Sequence, residues 1–256
     1  MRVLFGLAAG LLLLLAAQPL MPAYRSSRDV LAPPGRGHLL GTNDIGQDVL
    51  TGLLHATPNT VLMALAAAAV ATATALIIAG VAAAASATIR NMILRLVDAV
   101  QVVPSILVLL FLGTLMQPGL AGLALLLGLT SWHEDVRVAL AMLRRELQRE
   151  NVRFARHMGA SRTYCLRRHV MPAIRPALAA LYIQNIRQVT LRAAGLAFLG
   201  LTDPRLLTWG GMMQDAMDYL YTPAWLWLLL PPALALTSFL LIMLLLTEND
   251  PAEARA

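Results

Sequence analysis

Five histidines, one cysteine and 14 acids are the groups in this chain that could bind metal or do covalent chemistry. An intramembrane protease or transferase needs a Ser/His pair, two facing acids or a clustered metal site. His38, His55, His133, His157 and His169 fall far apart instead, among stretches that read as loops and interfaces. Asp44 and Asp48 lie close together, but the acid spacing of an EF-hand loop is missing. Cys165 stands alone, so no internal disulfide can form, and an inert thiol is its ordinary role. No GxxxxGK[ST] phosphate-binding loop occurs. The residue types therefore point to a non-catalytic chain with no metal site or cofactor of its own.

Two other polar groups are better placed to work. The first is NVRFARHMGASRTYCLRRHVMP over residues 151–172, a basic island in a greasy chain. Its Gly159-Ala160-Ser161 corner separates two short helical segments; Ser161 can cap the second, and Pro172 is expected to end it. Charge alone would suit a loop lying on anionic lipid. Interleaved Phe154, Met158, Tyr164, Leu166 and Val170, however, leave an apolar stripe suited to docking in a protein groove. The second group is Gln184, Arg187, Gln188 and Arg192, with Asn185 among them, inside a stretch otherwise apolar enough to enter a membrane. Arginine at mid-bilayer costs about 2.5–3.5 kcal/mol on insertion scales, so such residues face protein or water. They are candidates to line an aqueous path or a subunit interface.

The elements that must position these groups are membrane helices. The chain of 256 residues is 58% hydrophobic and 13% charged, with a mean hydropathy of +0.67. A soluble domain could not hide that much apolar surface, and several apolar runs approach the roughly 20 residues that span a bilayer. The expected class is all-α: a polytopic membrane protein with about six transmembrane helices and a cytoplasmic helix-turn-helix loop. Residues 1–23 would form the first span, a cleaved signal peptide being the alternative. Residues 24–57 are polar and rich in Pro and Gly, an external loop with an amphipathic segment. Residues 58–256 would then form the transmembrane domain, with the long basic loop at 138–175. Thr57-Pro58 predicts the start of the second span, an alanine-rich helix whose small face suits close helix packing. A turn marked by Arg90 and Arg95 precedes a third span bent at Pro104, and a short fourth span leads through His133, Glu134 and Asp135 towards the cytoplasm.

All 20 basic residues are arginine and the net charge is +6. Basicity can signal nucleic acid, but ten of these arginines lie in one stretch, from Arg137 to Arg175, between apolar runs. That is the mark of a cytoplasmic loop. With both termini inside, 14 arginines fall in cytoplasmic stretches and 4 in outer loops.

Residues 152–172 resemble the cytoplasmic coupling loop, often called the EAA loop, of ABC importer permeases. The match is strongest at Ala155, Arg156, Gly159, Ala160, Ser161, Arg168, His169, Val170 and Pro172. HLLGTNDIGQDVL at 38–50 is similar to the first-loop motif of the dipeptide, oligopeptide and nickel permeases. GLAFLGLTDPRLLTWGGMMQDA at 195–216 is similar to their fifth-span and outer-loop motif, and Trp132 and Arg137 match the start of their coupling loop. Departures are Arg153 and Phe154 for the usual glutamate and alanine, Asn43 and Gln47 for aspartate and arginine, and Arg192 at a frequently acidic position. The resemblance implies a permease subunit of the bacterial inner membrane, in a heterodimer with a homologous permease. It further implies two cytoplasmic ATPases that use ATP and Mg, and an external solute-binding protein. ATPase coupling would run through Ala155, Arg156, Gly159, Ala160, Ser161, Arg168, His169 and Pro172. The implied cargo is a peptide or peptide-like solute, alternatively nickel or a metal chelate. A secondary transporter would show an internal repeat and coupling acids within its spans, and neither is evident.

Overall fold

A computed structural model describes residues 23–248. Among them the chain folds into helices and turns, with one isolated bridge between Thr42 and Asp48 and no strand. The expected first span lies almost wholly outside the described residues.

Helix α1 (Val49–Ala84) has 36 residues and a length of roughly 54 Å. It begins nine residues before the expected Thr57-Pro58 start, because Asp48 is the working cap: its carboxylate accepts from the Thr51 amide at 2.7 Å. The helix runs straight on through buried Pro58. Thr57 is an internal anchor instead, its hydroxyl donating to the Leu53 carbonyl at 2.7 Å and accepting from the Trp209 indole at 3.2 Å. The tail of the expected external loop is thus helical.

Helix α2 (Ala87–Val102) and helix α3 (Ser105–Met116) meet at a 63° bend. Pro104 makes it, pressing Val103 into extended backbone as the residue before proline requires. Arg90 and Arg95 lie within α2, so the turn expected there contracts to residues 85–86, with Ser86 as the cap. Helix α4 (Leu120–Ser131) is followed by a 3-10 turn, Trp132–Glu134, and helix α5 (Val136–Leu147). After helix α6 (Glu150–His157) and the short helix α7 (Arg162–Cys165), a π turn over Leu166–Val170 runs directly into helix α8 (Met171–Phe198). Pro172 therefore does not stop the helix. The Met171 amide reaches back five residues to the Leu166 carbonyl, and the proline follows in the first turn of α8, where a missing N–H costs little. Helix α9 (Trp209–Asp215) and helix α10 (Trp225–Glu248) complete the described chain.

By length and composition α1 and α10 can each cross a membrane, and the bent pair α2–α3 is long and apolar enough for a third crossing if its two halves form one span. The other expected spans are built differently: α4 has 12 residues, about 18 Å against a hydrocarbon core of about 30 Å, and α8 is long but polar. Ala64, Ala67, Ala71, Ala75, Ala79 and Ala82 are fully buried along α1, which settles the alanine stripe as a packing face. Against it lie Leu123 and Leu127 of α4 and Ile186 and Val189 of α8. Gly128 makes the closest approach: a Cβ there would sit 2.6 Å from Val70 Cβ.

Candidate coupling and transport site

The basic island folds as a hairpin whose corner is closed by a pair of backbone hydrogen bonds. The Gly159 amide donates to the Arg156 carbonyl at 3.1 Å and the Ala160 amide to the Ala155 carbonyl at 3.0 Å. This double bond is the Schellman ending of a helix, and it needs a left-handed residue at the second position from its close. Gly159 supplies it with φ +89°. Two residues on, Ser161 caps the next helix by accepting from the Tyr164 amide at 3.1 Å. The Gly-Ala-Ser order is thus one stop signal followed by one start signal.

Packing then fixes which side faces out. Val152, Cys165 and Val170 are buried with Leu140, Leu143 and Ile174, and Ala155 and Ala160 pack against them. Val170 accordingly leaves the expected stripe, while Phe154, Met158, Tyr164 and Leu166 are exposed. Arg168 and Pro172 are exposed, and half-buried His169 meets the Tyr164 ring edge-on at 6.0 Å. Arg156 and Arg162 line a cavity of about 460 Å3 whose walls include Gly80, Ala83, Leu143 and Leu147.

On α8 the four polar candidates separate. Gln184 is exposed and Arg187 half-buried. Arg192 and Gln188 are drawn into a cluster: the Arg192 guanidinium donates to Ser131 Oγ at 2.7 Å, Glu134 Oε1 at 2.7 Å and Gln188 Oε1 at 3.3 Å. The unusual arginine is therefore neutralised within the chain by Glu134. Its neighbours were not anticipated. Asp135, expected at the headgroups or in the cytoplasm, is buried, and Asn185 Nδ2 donates to its Oδ2 at 2.6 Å and to Thr72 Oγ1 at 2.9 Å. Buried His133 presents an Nδ1 with no partner among the described residues. The available signal was a carboxylate and an amide in apolar surroundings; their pairing across 50 residues was not visible in the sequence.

The segments at 38–50 and 195–216 meet at the other end. Trp227 of α10 donates to the Thr42 carbonyl at 3.1 Å, and Asn59 of α1 to the Leu207 carbonyl at 2.9 Å. The departures Asn43 and Gln47 are each other's partners: Asn43 Nδ2 lies 3.0 Å from Gln47 Oε1, and Asn43 Oδ1 accepts from the Gln47 amide at 2.7 Å. Nearby, Tyr24, Asp44 and Asp215 line one small pocket. Burial first, then Asp215 and the neighbouring acids, push the Tyr24 phenol up to about 12. Asp215 is raised too, by burial and then by Asp44 and Asp218.

Comparison with known proteins places this geometry. The family model described as binding-protein-dependent transport system inner membrane component matches residues 75–249. The nickel transport system permease protein NikC of Escherichia coli K12 is 28% identical over 194 residues, covering 75% of this chain and 70% of that protein. The di/tripeptide transport system permease protein DppC of Pseudomonas aeruginosa is 29% identical over 208 residues, covering 81% and 68%. A putative peptide transport system permease protein of Brucella suis is 30% identical over 222 residues, covering 84% and 72%. In fold, the chain is similar to an inward-facing structure of the MetNI methionine ABC transporter, with a TM-score of 0.57 at 14% identity over 74% of this chain and 92% of that one.

A helical membrane chain with a capped, basic hairpin between its spans is thus a permease of the ABC importer class, a membrane subunit and not an enzyme. The chain belongs to the family of binding-protein-dependent transport system inner membrane components.

Proposed function

We propose that this chain forms half of the translocation path of an ATP-driven importer for peptides or peptide-like solutes, paired with a homologous permease. Two ATPases using ATP and Mg would act on the hairpin, and an external solute-binding protein would deliver the cargo at the face built from the first-loop and outer-loop motifs. The observation that carries the coupling role is the corner itself. Its hydrogen bonds rigidify the hairpin while Phe154, Met158 and Tyr164 stay exposed beside the charges, as a docking element requires. Ala155, Ala160 and Ser161 would keep its shape. Arg156, Arg168, His169 and Pro172 would present its surface.

On the path side, Gln184, Arg187 and Gln188 share one face of α8 by their spacing, and offer the amide and guanidinium groups that peptide carbonyls and carboxylates bond. Nickel or a metal chelate is the second reading, favoured by the likeness to the nickel permease. Purifying the associated binding protein and identifying its ligand by mass spectrometry tests the cargo. Peptides are expected, and a nickel chelate would replace this reading with the second. For Arg192, the Glu134 pair argues for a structural role, so Arg192→Gln is expected to lower the stability of the assembled importer with selectivity unchanged. Altered selectivity at full stability would return Arg192 to the path.

A further inference from the structure

The turn between α4 and α5 gathers polar contacts from α2 and α8 and, through Asn185, is linked to α1. Gln101 of α2 donates to the His133 carbonyl at 2.9 Å, and Arg137 pairs with Asp98 of α2 through both carboxylate oxygens at 2.5 and 2.7 Å. Arg192 of α8 holds Ser131 and Glu134. At the centre, the two hydrogens of the Asn185 amide group are divided between Asp135 and Thr72 of α1. Asp135 stands at the root of α5, its carbonyl accepting from the Ala139 amide at 2.9 Å.

This position has a mechanical meaning. The hairpin leaves the membrane helices by two legs, α5 on one side and the continuous α7–π–α8 rod on the other. Legs joined by side packing alone can splay when force is applied at the tip. A directional bond between their roots closes the frame. An apolar contact would pack this seam without desolvating a carboxylate, so the buried acid is a costly choice for filling space alone. Such a pair fixes register and angle.

We propose that Asp135 and Asn185 form a pin at the base of the hairpin, so that hairpin and α8 move as one body and displacement at the Gly159 corner reaches the polar face of α8. Both are positioning residues. The proposal rests on the hairpin being where the ATPases act. It makes the pin a determinant of coupling that acts away from the docking surface and away from the cargo.

The test uses the complete importer in lipid nanodiscs, with spin labels at His157→Cys and Leu199→Cys in a Cys165→Ser background. Their separation is measured by pulsed electron resonance without nucleotide and after trapping with ADP and vanadate. With the pin intact, the separation is the same in both states. Asp135→Ala and Asn185→Leu are expected to broaden the distribution and to make it shift on trapping. The exchange Asp135→Asn with Asn185→Asp, which reverses donor and acceptor, is expected to restore the native distribution. If the alanine variant does not assemble, Asp135→Asn alone keeps the size and weakens the bond, and an intermediate broadening is expected. A native separation that shifts on trapping, or variants that leave the distribution unchanged, overturns the proposal. ATPase co-purification with Gly159→Trp separates the premise from the proposal. Retained ATPase binding there refutes the hairpin as the docking site, whereas the label distances judge the pin.

Discussion

At Gly159 the constraint is backbone angle and not space, since an added Cβ would meet nothing within 4 Å while φ stays at +89°. Any L side chain there pays about 1–2 kcal/mol for the left-handed conformation, enough to reopen an exposed corner without unfolding the membrane core. Gly159→Val is therefore expected to insert normally but to lose about five- to thirtyfold in ATP-dependent uptake, the factors that about 1–2 kcal/mol represent. Uptake by membrane vesicles at matched protein level checks this, and full activity would refute the corner's role. Asp48 makes a different prediction. Burial alone would raise its carboxyl, but hydrogen bonding from Thr51 and His38 outweighs this and holds it below the ordinary value. A depressed folded pKa contributes stability that is complete above the unfolded value, about 3.9, and is lost as pH falls through the folded one. The protection of first-turn amides of α1 against hydrogen exchange, taken relative to their intrinsic rates, should fall as pH drops through that range. Asp48→Asn, which still caps but does not titrate, should abolish that dependence.

Among helices the decisive residues are the small ones. Gly128 of α4 approaches α1 so closely that a Cβ would meet Val70 and the Ala67 carbonyl within 3 Å, whereas Gly80 on the same α1 faces open space. Gly128→Ala is expected to cost about 1–3 kcal/mol through overpacking, and Gly80→Ala to be neutral or to gain about 0.5–1 kcal/mol. Thermal unfolding in one detergent would compare them; equal effects would mean that α1 and α4 do not pack as described. The alanine stripe, the Pro104 bend and the hairpin corner were legible because each is a local pattern with a local cause. Helix starts and stops were less so where proline was concerned. Pro58, Pro176, Pro231 and Pro232 all lie inside helices, which helices packed in a membrane protein tolerate. The Asp135–Asn185 pair was illegible for the opposite reason, being a contact made by tertiary folding alone. Its two members read separately as a headgroup acid and one more polar residue of a tolerant span. Arg192, a candidate for an aqueous path or a subunit interface, pairs instead with Glu134 of its own chain.

For the molecule as a whole, charge and architecture make one claim about orientation that neither makes alone. The ten arginines from Arg137 to Arg175 occupy the hairpin and its two roots, and cytoplasmic loops carry such an excess. The opposite end, where α10 and the outer-loop motif meet the first loop, carries the acids Asp44, Asp215 and Asp218 and the turn holding Arg205. With the hairpin inside, that end faces outward, where a binding protein can reach it. The chain is well suited to a direct test, because its sole cysteine is buried and Cys165→Ser gives a silent background. Arg205→Cys should react with a membrane-impermeant maleimide in intact cells, while His157→Cys should react only after the membrane is opened. Both sites are exposed in the fold, so a difference between them reports sidedness and not burial. Labelling of His157→Cys from outside would reverse the orientation and remove the hairpin from the reach of any cytoplasmic ATPase. The external acids would then face inward, and the proposed delivery of cargo to that face would fall with the coupling role.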